Sequence, residues 1–337
     1  MTPQSPCNLC GAREAEEVAR LDRHGKPLRT VICRKCGLVW SDPLPTEETL
    51  KKFYAEEYRL QYKGTTRPTP EHVYRAGRVA AHRFRHLKKI LDPGAVIVDV
   101  GSGGGEFVYL MRRLDFDARG VQPHEGYARY AQKELGVPVH LGFVREVRLP
   151  PASCHLVTLY HALEHMASPS EVLEHVREWL EPRGWLVIEV PNVEATCQSP
   201  GHRFHQAHLY SFNPASLRRL GEKTGFRPHR TDLSPDGGNI TAIFAKESVE
   251  SIRTEIPGNC ERIMGTIRRH TLLRHFASSH PYARPLRRLR GRLQEKRATR
   301  RFGGGRELLD AIRSREMPET TEKRVIHEGT QRTTKGH

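Results

Sequence analysis

Long apolar runs are missing from this sequence. Its longest ones, such as Trp185-Leu186-Val187-Ile188, are strand-sized, far short of the ~20 residues that a helical membrane span needs. The opening residues, MTPQSPCNLC, carry neither a basic nor an apolar segment, so no secretory leader is predicted and a cytoplasmic protein is the expectation. Aromatic residues make up only 7% of the 337, against 37% for all hydrophobic types; this is lean but adequate for a core. Seven cysteines are too few to staple a secreted chain of this length through disulfides.

Acidic residues are also in deficit. Against 39 Asp and Glu stand 55 Lys and Arg, a formal net charge of +16, which invites a nucleic-acid or anionic-surface hypothesis. The excess is local. Residues 251–337 hold 21 basic and 9 acidic residues, while the first 250 hold 34 and 30. The densest stretch, RPLRRLRGRLQEKRATRR over 284–301, sets Leu286, Leu289 and Leu293 at helical spacing. It predicts a helix that docks its leucine stripe on the rest of the chain, with a phosphate- or lipid-facing anionic surface contact as the alternative. Interleaved aromatics for base stacking are absent, so nucleic acid is not well supported as a partner.

Four of the cysteines form two pairs, Cys7-Asn8-Leu9-Cys10-Gly11 and Cys33-Arg34-Lys35-Cys36-Gly37. A Cys-x-x-Cys turn aims two thiolates at one metal, and two such turns supply four sulfurs at tetrahedral angles. The glycine after each pair suits the tight turn whose amides hydrogen-bond the sulfurs. The pattern is that of a zinc ribbon with Cys7, Cys10, Cys33 and Cys36 as ligands to a structural Zn2+; two redox motifs are the competing reading. Cys154, Cys197 and Cys260 are isolated and read as buried small hydrophobes.

Downstream, a helical segment over 47–58 carries Leu50, Phe53 and Tyr54, and residues 64–70 read as a linker. A basic helix over about 71–91 then leads to Ala95-Val96-Ile97-Val98-Asp99-Val100-Gly101-Ser102-Gly103-Gly104-Gly105-Glu106-Phe107. The β-branched run fits a buried parallel strand, and the glycines fit a sharp turn that approaches a ligand before a helix begins. A dinucleotide fingerprint needs a third small residue where Glu106 stands. A carboxylate at Asp99 would repel a pyrophosphate but suits an α-amino group. Further strands are read at Arg119–Pro123, Leu156–Tyr160, Trp185–Asn192 and Asn239–Ala245, with helices starting at Ser168-Pro169-Ser170-Glu171, a capping box, and at Asn213-Pro214. The alternation predicts an α/β fold with a doubly wound, mostly parallel sheet.

Asp-x-Gly-x-Gly-x-Gly, the strand ending at Gln122, and the strand leading into Leu163-Glu164-His165 resemble, in order, class I S-adenosylmethionine (SAM)-dependent methyltransferases. The paired cysteines followed by a Pro-rich turn and a Tyr-bearing helix look like the N-terminal zinc domain of methyltransferases from sugar and polysaccharide pathways. The resemblance covers roughly residues 5–246. It implies SAM as cofactor, with Asp99, Gly101, Gly103, Gly105, Gln122 and Tyr160 at the cofactor; Gln122 stands where the family carries an acidic residue for the ribose. His205-Gln206-Ala207-His208-Leu209-Tyr210-Ser211-Phe212 is similar to the His-Leu-Tyr-x-Phe segment of this subfamily.

Methyl transfer is an in-line displacement in which positioning dominates, helped by a base when the acceptor is a hydroxyl or carbon acid. His161 and His208 follow the strands whose carboxyl ends should face the acceptor; with Tyr210 they are the candidate catalytic residues, a structural hydrogen bond being the other reading of His208. The expected organisation is a ribbon over 1–45, a helical lead-in over 46–92, a SAM-binding core over 93–247, a basic helical extension over 248–316 and a disordered tail over 317–337. The expected function is methyl transfer to a small or carrier-linked acceptor. An RNA methyltransferase and a non-catalytic binding module of the same fold are the alternatives.

Overall fold

The computed structural model describes residues 4–54, 64–247 and 252–317. The end of the segment read as helical over 47–58, and the tail beyond residue 317, lie outside them.

The N-terminal unit is a hairpin of β1 (Ala15–Leu21) and β2 (Pro27–Cys33), extended by β3 (Val39–Ser41). Its turn is closed by Asp22, whose carboxylate accepts from the backbone N–H of His24 and Lys26, both at 2.8 Å. The fourth strand of this sheet comes from far along the chain: β9 (Tyr210–Ser211) pairs antiparallel with β3, Trp40 opposite Tyr210.

Among the described residues the main sheet has seven strands. Besides β4 (Val96–Val100), β5 (Asp117–Gln122) and β6 (Val139–Leu141) it holds β7 (Cys154–Tyr160), β8 (Leu180–Pro191), β10 (Phe226–Leu233) and β11 (Asn239–Lys246). The order is β6-β5-β4-β7-β8-β11-β10, with the first five parallel and β11 antiparallel to both neighbours. Alternate residues enter opposite cores: Ile97, Leu156 and Val187 on one side, Val98, Val157, Leu186 and Ile188 on the other. Both faces are therefore apolar, as a sheet covered by helices on both sides requires. Helices α1 (Glu47–Lys52), α2 (Pro70–Leu87), α3 (Glu106–Arg112), α4 (Glu125–Tyr130), α5 (Pro169–Trp179) and α6 (Pro214–Lys223) precede, cover or connect these strands. The expected α/β architecture is observed.

Two local expectations need correction. Residues 181–184 do not separate a helix from a strand starting at Trp185, because β8 already begins at Leu180. Pairing steps from Cys154–Leu180 to Leu156–Trp185, so 181–184 bulge out, with Arg183 at φ 66° turning the chain. Ser168 does not cap α5 with its own side chain. Instead Asn8 of the first cysteine turn accepts from Ser170 N–H at 3.0 Å and donates to Ser168 Oγ at 3.2 Å. A ribbon residue thus caps a helix of the core.

The C-terminal part folds back on both units. Helix α7 (Asn259–Arg269) buries Cys260, Ile263 and Met264 against Ile32, Val39, Val193 and Phe204. Asn259 donates to Cys36 O and accepts from Asn213 Nδ2, both at 2.8 Å. After the short α8 (Leu272–Phe276) and the long α9 (His280–Thr299), α10 (Gly305–Glu316) packs Leu309 and Ile312 on Gly77 of α2. A Cβ at Gly77 would fall 2.5 Å from Leu309, so this glycine sets the approach of the two helices. The leucine stripe of α9 does not dock: Leu286, Leu289 and Leu293 are 61, 58 and 49% exposed.

The Asn8 cap is testable. Asn8→Ala should cost about 1 kcal/mol, the usual loss of a helix cap, read from the shift in denaturant midpoint at unchanged slope.

Candidate active site

The turn after β4 runs through three left-handed glycines, Gly101 (φ 78°), Gly103 (φ 59°) and Gly105 (φ 84°). Gly101 and Ser102 donate their N–H to Val121 O, and the buried Gln122 donates its amide to Gly103 O at 3.3 Å while accepting from His124 N–H. The turn is therefore braced by the end of β5. Gln122 stays in the cavity wall, its amide committed to the loop. Gly101 and Gly103 line a cavity of about 520 Å³ together with Asp99, Gln122 and Tyr160. Gly105 serves packing, since a Cβ there would meet Ala131 at 2.8 Å and Val137 at 3.0 Å.

Asp99 is buried in that wall and accepts from Thr158 Oγ1 at 2.6 Å. Burial pushes its carboxyl up to about 6, against the opposing pull of Thr158 and of Arg83. A buried carboxylate facing a cavity beside a glycine turn fits an ammonium group, whose charge would offset the cost of ionising it. The residues present thus fit the amino-acid end of SAM.

Arg83, Tyr160, His161 and Glu164 also line the cavity, and a chain of charges runs through them. Arg83 of α2 covers the Tyr160 ring with its guanidinium 3.9 Å from the centroid, and bonds Glu189 of β8 at 2.6 Å. Glu189 accepts in turn from His161 Nε2 at 3.0 Å, and His161 Nδ1 lies 3.4 Å from Glu164. Burial opposes the charge on His161, but the two carboxylates outweigh it and raise the imidazole to about 9. Glu189 is held down at about 2, its burial outweighed by His161 and Arg83.

His208 behaves oppositely. Burial, then the charges of His165, His205 and His161, hold its imidazole well below the usual histidine value. Its Nε2 lies 3.9 Å from Glu164, and its ring sits against His205 with centroids 3.7 Å apart. His165 is fixed through the Ala207 carbonyl, which lies 2.6 Å from its Nδ1 and also accepts from Tyr54 Oη at 2.8 Å. Glu164, His165 and His208 bring their ligating atoms within 4.8 Å of one another, a donor set able to hold a cation. Tyr210 is placed differently from the two histidines: its hydroxyl donates to Ala167 O at 3.1 Å.

His161 and His208 also line a second, polar cavity of about 350 Å³ bounded by Arg23, Asn192, Arg203 and Tyr210. The two histidines form the partition between the cavities. Sequence reasoning singled them out but missed Arg83, Glu164 and Glu189. A lone acid in the apolar run of β8, and Arg83 at helical spacing from His72, Ala76 and Ala80, were the signals available.

Because its folded value exceeds 6.5, His161 contributes stability that is present below about pH 6.5 and lost as pH rises through about 9. Glu189→Gln should lower the titration of His161, followed by NMR, by about one unit or more; an unmoved titration would remove Glu189 as the group that holds the charge.

A family profile described as "Methyltransferase domain" matches residues 72–231. The chain is 30% identical over 105 residues to the ubiquinone biosynthesis O-methyltransferase of Paraburkholderia phymatum, covering 29% of this chain and 45% of that protein. It is 35% identical over 105 residues to the tRNA U34 carboxymethyltransferase of Syntrophotalea carbinolica, covering 28% and 32%. The chain thus spans less than half the length of these relatives. A solved SAM-dependent methyltransferase from Aquifex aeolicus overlaps 60% of this chain and all of its own, at 16% identity and a TM-score of 0.41. The matched segment begins in α2, whose Arg83 walls the cavity, and runs through the glycine turn and strands β7 and β8. Residues 72–231 thus carry a methyltransferase domain.

Proposed function

We propose that the chain transfers a methyl group from SAM to an oxygen or carbon of a small or carrier-linked acceptor, such as a sugar or another natural-product or polysaccharide precursor. The observation that carries this reading is the meeting of the two cavities at His161 and His208. The glycine-turn cavity, with Asp99, takes the cofactor, and the polar cavity takes the acceptor. SAM supplies an electrophilic methyl on a sulfonium, so the protein's task is to align an acceptor atom and remove its proton.

His208 is the group suited to that proton. Its depressed basicity keeps it neutral at physiological pH, with a lone pair free to accept. Glu164, buried at 3.9 Å, provides the counter-charge once His208 becomes cationic. His161 has a different role. Already charged and held by Glu164 and Glu189, it fixes the partition and faces the acceptor as a cation. Tyr210 acts through structure, anchoring the loop that carries His208.

The reading is tested with labelled SAM and hydroxylated acceptors of this class. His208→Ala should reduce kcat by about a hundredfold or more while S-adenosylhomocysteine binds as in wild type. Wild-type turnover would remove His208 as the base, and failure of the wild-type chain to bind S-adenosylhomocysteine would overturn the methyl-transfer reading.

We further propose that Cys7, Cys10, Cys33 and Cys36 hold a structural zinc ion. The Cys7 and Cys36 sulfurs lie 3.4 Å apart, as do those of Cys10 and Cys33, and all four ligating atoms fall within 4.8 Å of one another. Gly11 and Gly37, both at φ 75°, close the two turns onto Cys7 O and Cys33 O. Four thiolates complete a tetrahedral shell and leave no position for a reacting water. Because the ribbon sheet includes β9, just after His208, zinc loss should act on the acceptor side. Cys33→Ser should abolish the one zinc per chain found by elemental analysis and lower kcat/KM for the acceptor, with S-adenosylhomocysteine affinity kept. A zinc-free wild type with full activity would sink the assignment.

A further inference from the structure

The stripe that fails to dock has a definite geometry. In α9, Tyr282, Leu286, Leu289 and Leu293 recur at steps of four, three and four and occupy about 60° of the helix circumference; all four are exposed. The opposite side faces the protein. There Arg284 reaches Cys197 O, Glu295 is buried and pairs with Arg75 of α2 at 3.5 Å, and Gly291 and Ala298 are half-buried. The leucines therefore point directly away from the domain.

Basic residues flank that ridge on both sides, Arg290 and Arg297 on one, Arg292 and Lys296 on the other, all exposed. The one acid of the helix, Glu295, is turned inward. Just upstream, α8 leaves Leu272, Leu273 and Phe276 exposed as well, Leu273 at 81%.

We propose that α9 docks the protein on an anionic phospholipid bilayer, lying in the plane of the interface. An apolar ridge between two rows of long cationic side chains is what such a surface selects. The leucines enter the acyl boundary, while the arginines and the lysine reach sideways to the headgroups. A second copy is a poor occupant, since it would bring two identical rows of positive charge together. Nucleic acid would pair with the flanks but leave the leucines facing phosphates. The helix is held by α2 and by the loop at Cys197, which wall the two cavities; docking would set the acceptor side near the membrane. The inference does not depend on methyl transfer.

The test is flotation of the full-length protein with vesicles of phosphatidylcholine alone and of phosphatidylcholine mixed with phosphatidylglycerol. Wild type should float with the anionic vesicles and not the neutral ones, and rising salt should weaken the binding. The triple variant Leu286→Glu, Leu289→Glu, Leu293→Glu should lower the vesicle partition coefficient by about tenfold or more. The variant Arg290→Gln, Arg292→Gln, Lys296→Gln, Arg297→Gln should do the same and lose most of the salt dependence. An unchanged circular dichroism melting curve reports that each variant is folded, and Leu289→Gln alone serves if the triple variant is not. Wild type that ignores anionic vesicles, or a leucine variant that binds them like wild type, overturns the proposal. So does a leucine-dependent dimer in sedimentation without vesicle binding.

Discussion

The pairing of Trp40 with Tyr210 is the contact on which the site depends. It takes a two-residue strand from the loop after β8 into the sheet of the cysteine unit, and Phe212, two residues on, bridges to Asn192 at the end of β8. The loop from His205 to Phe212 is thus strung between two sheets. Ser41 tightens it, donating its N–H to Leu209 O at 2.9 Å and its hydroxyl to His208 O at 3.3 Å. A loop tethered at both ends loses its freedom before any ligand arrives, which is how a side chain on it keeps catalytic precision. The cysteine unit is in this sense part of the candidate site, and through Arg23 it also lines the polar cavity.

Electrostatically the site separates two histidines that sequence alone treats as equals. His161 has carboxylates on both ring nitrogens and carries a charge; His208 is buried among other imidazoles and does not. The charged His161 helps to keep His208 neutral, since a fixed cation disfavours a second one nearby. Glu164 and Glu189 set that asymmetry, and Arg83 keeps Glu189 ionised.

The sheet, the glycine turn and the four-cysteine cluster were legible because each rests on a local pattern: two-sided apolar strands, left-handed glycines, and cysteines at turn spacing. What was not legible depends on residues distant in sequence. Ser168-Pro169-Ser170-Glu171 looks like a self-contained cap, but Asn8, 160 residues away, takes the position. The leucines of α9 have helical spacing that predicts burial equally well against protein or against another phase; only their direction on the folded chain decides. Gly105 and Gly101 are indistinguishable in a motif, and the neighbours Ala131 and Val137 separate packing from lining.

The fit of α10 on Gly77 has a consequence for synthesis. Helix α2 presents His72, Ala76, Ala80 and Arg83 to the glycine-turn cavity, and its other side is covered by Leu309 and Ile312. These partners are separated by more than 200 residues, which at about 5–20 residues per second is a delay of roughly ten seconds to most of a minute. During that interval one wall of the cavity has no backing. A nascent chain therefore acquires a fully backed glycine-turn cavity only after its last described helix emerges, well after the strands that hold the glycine turn.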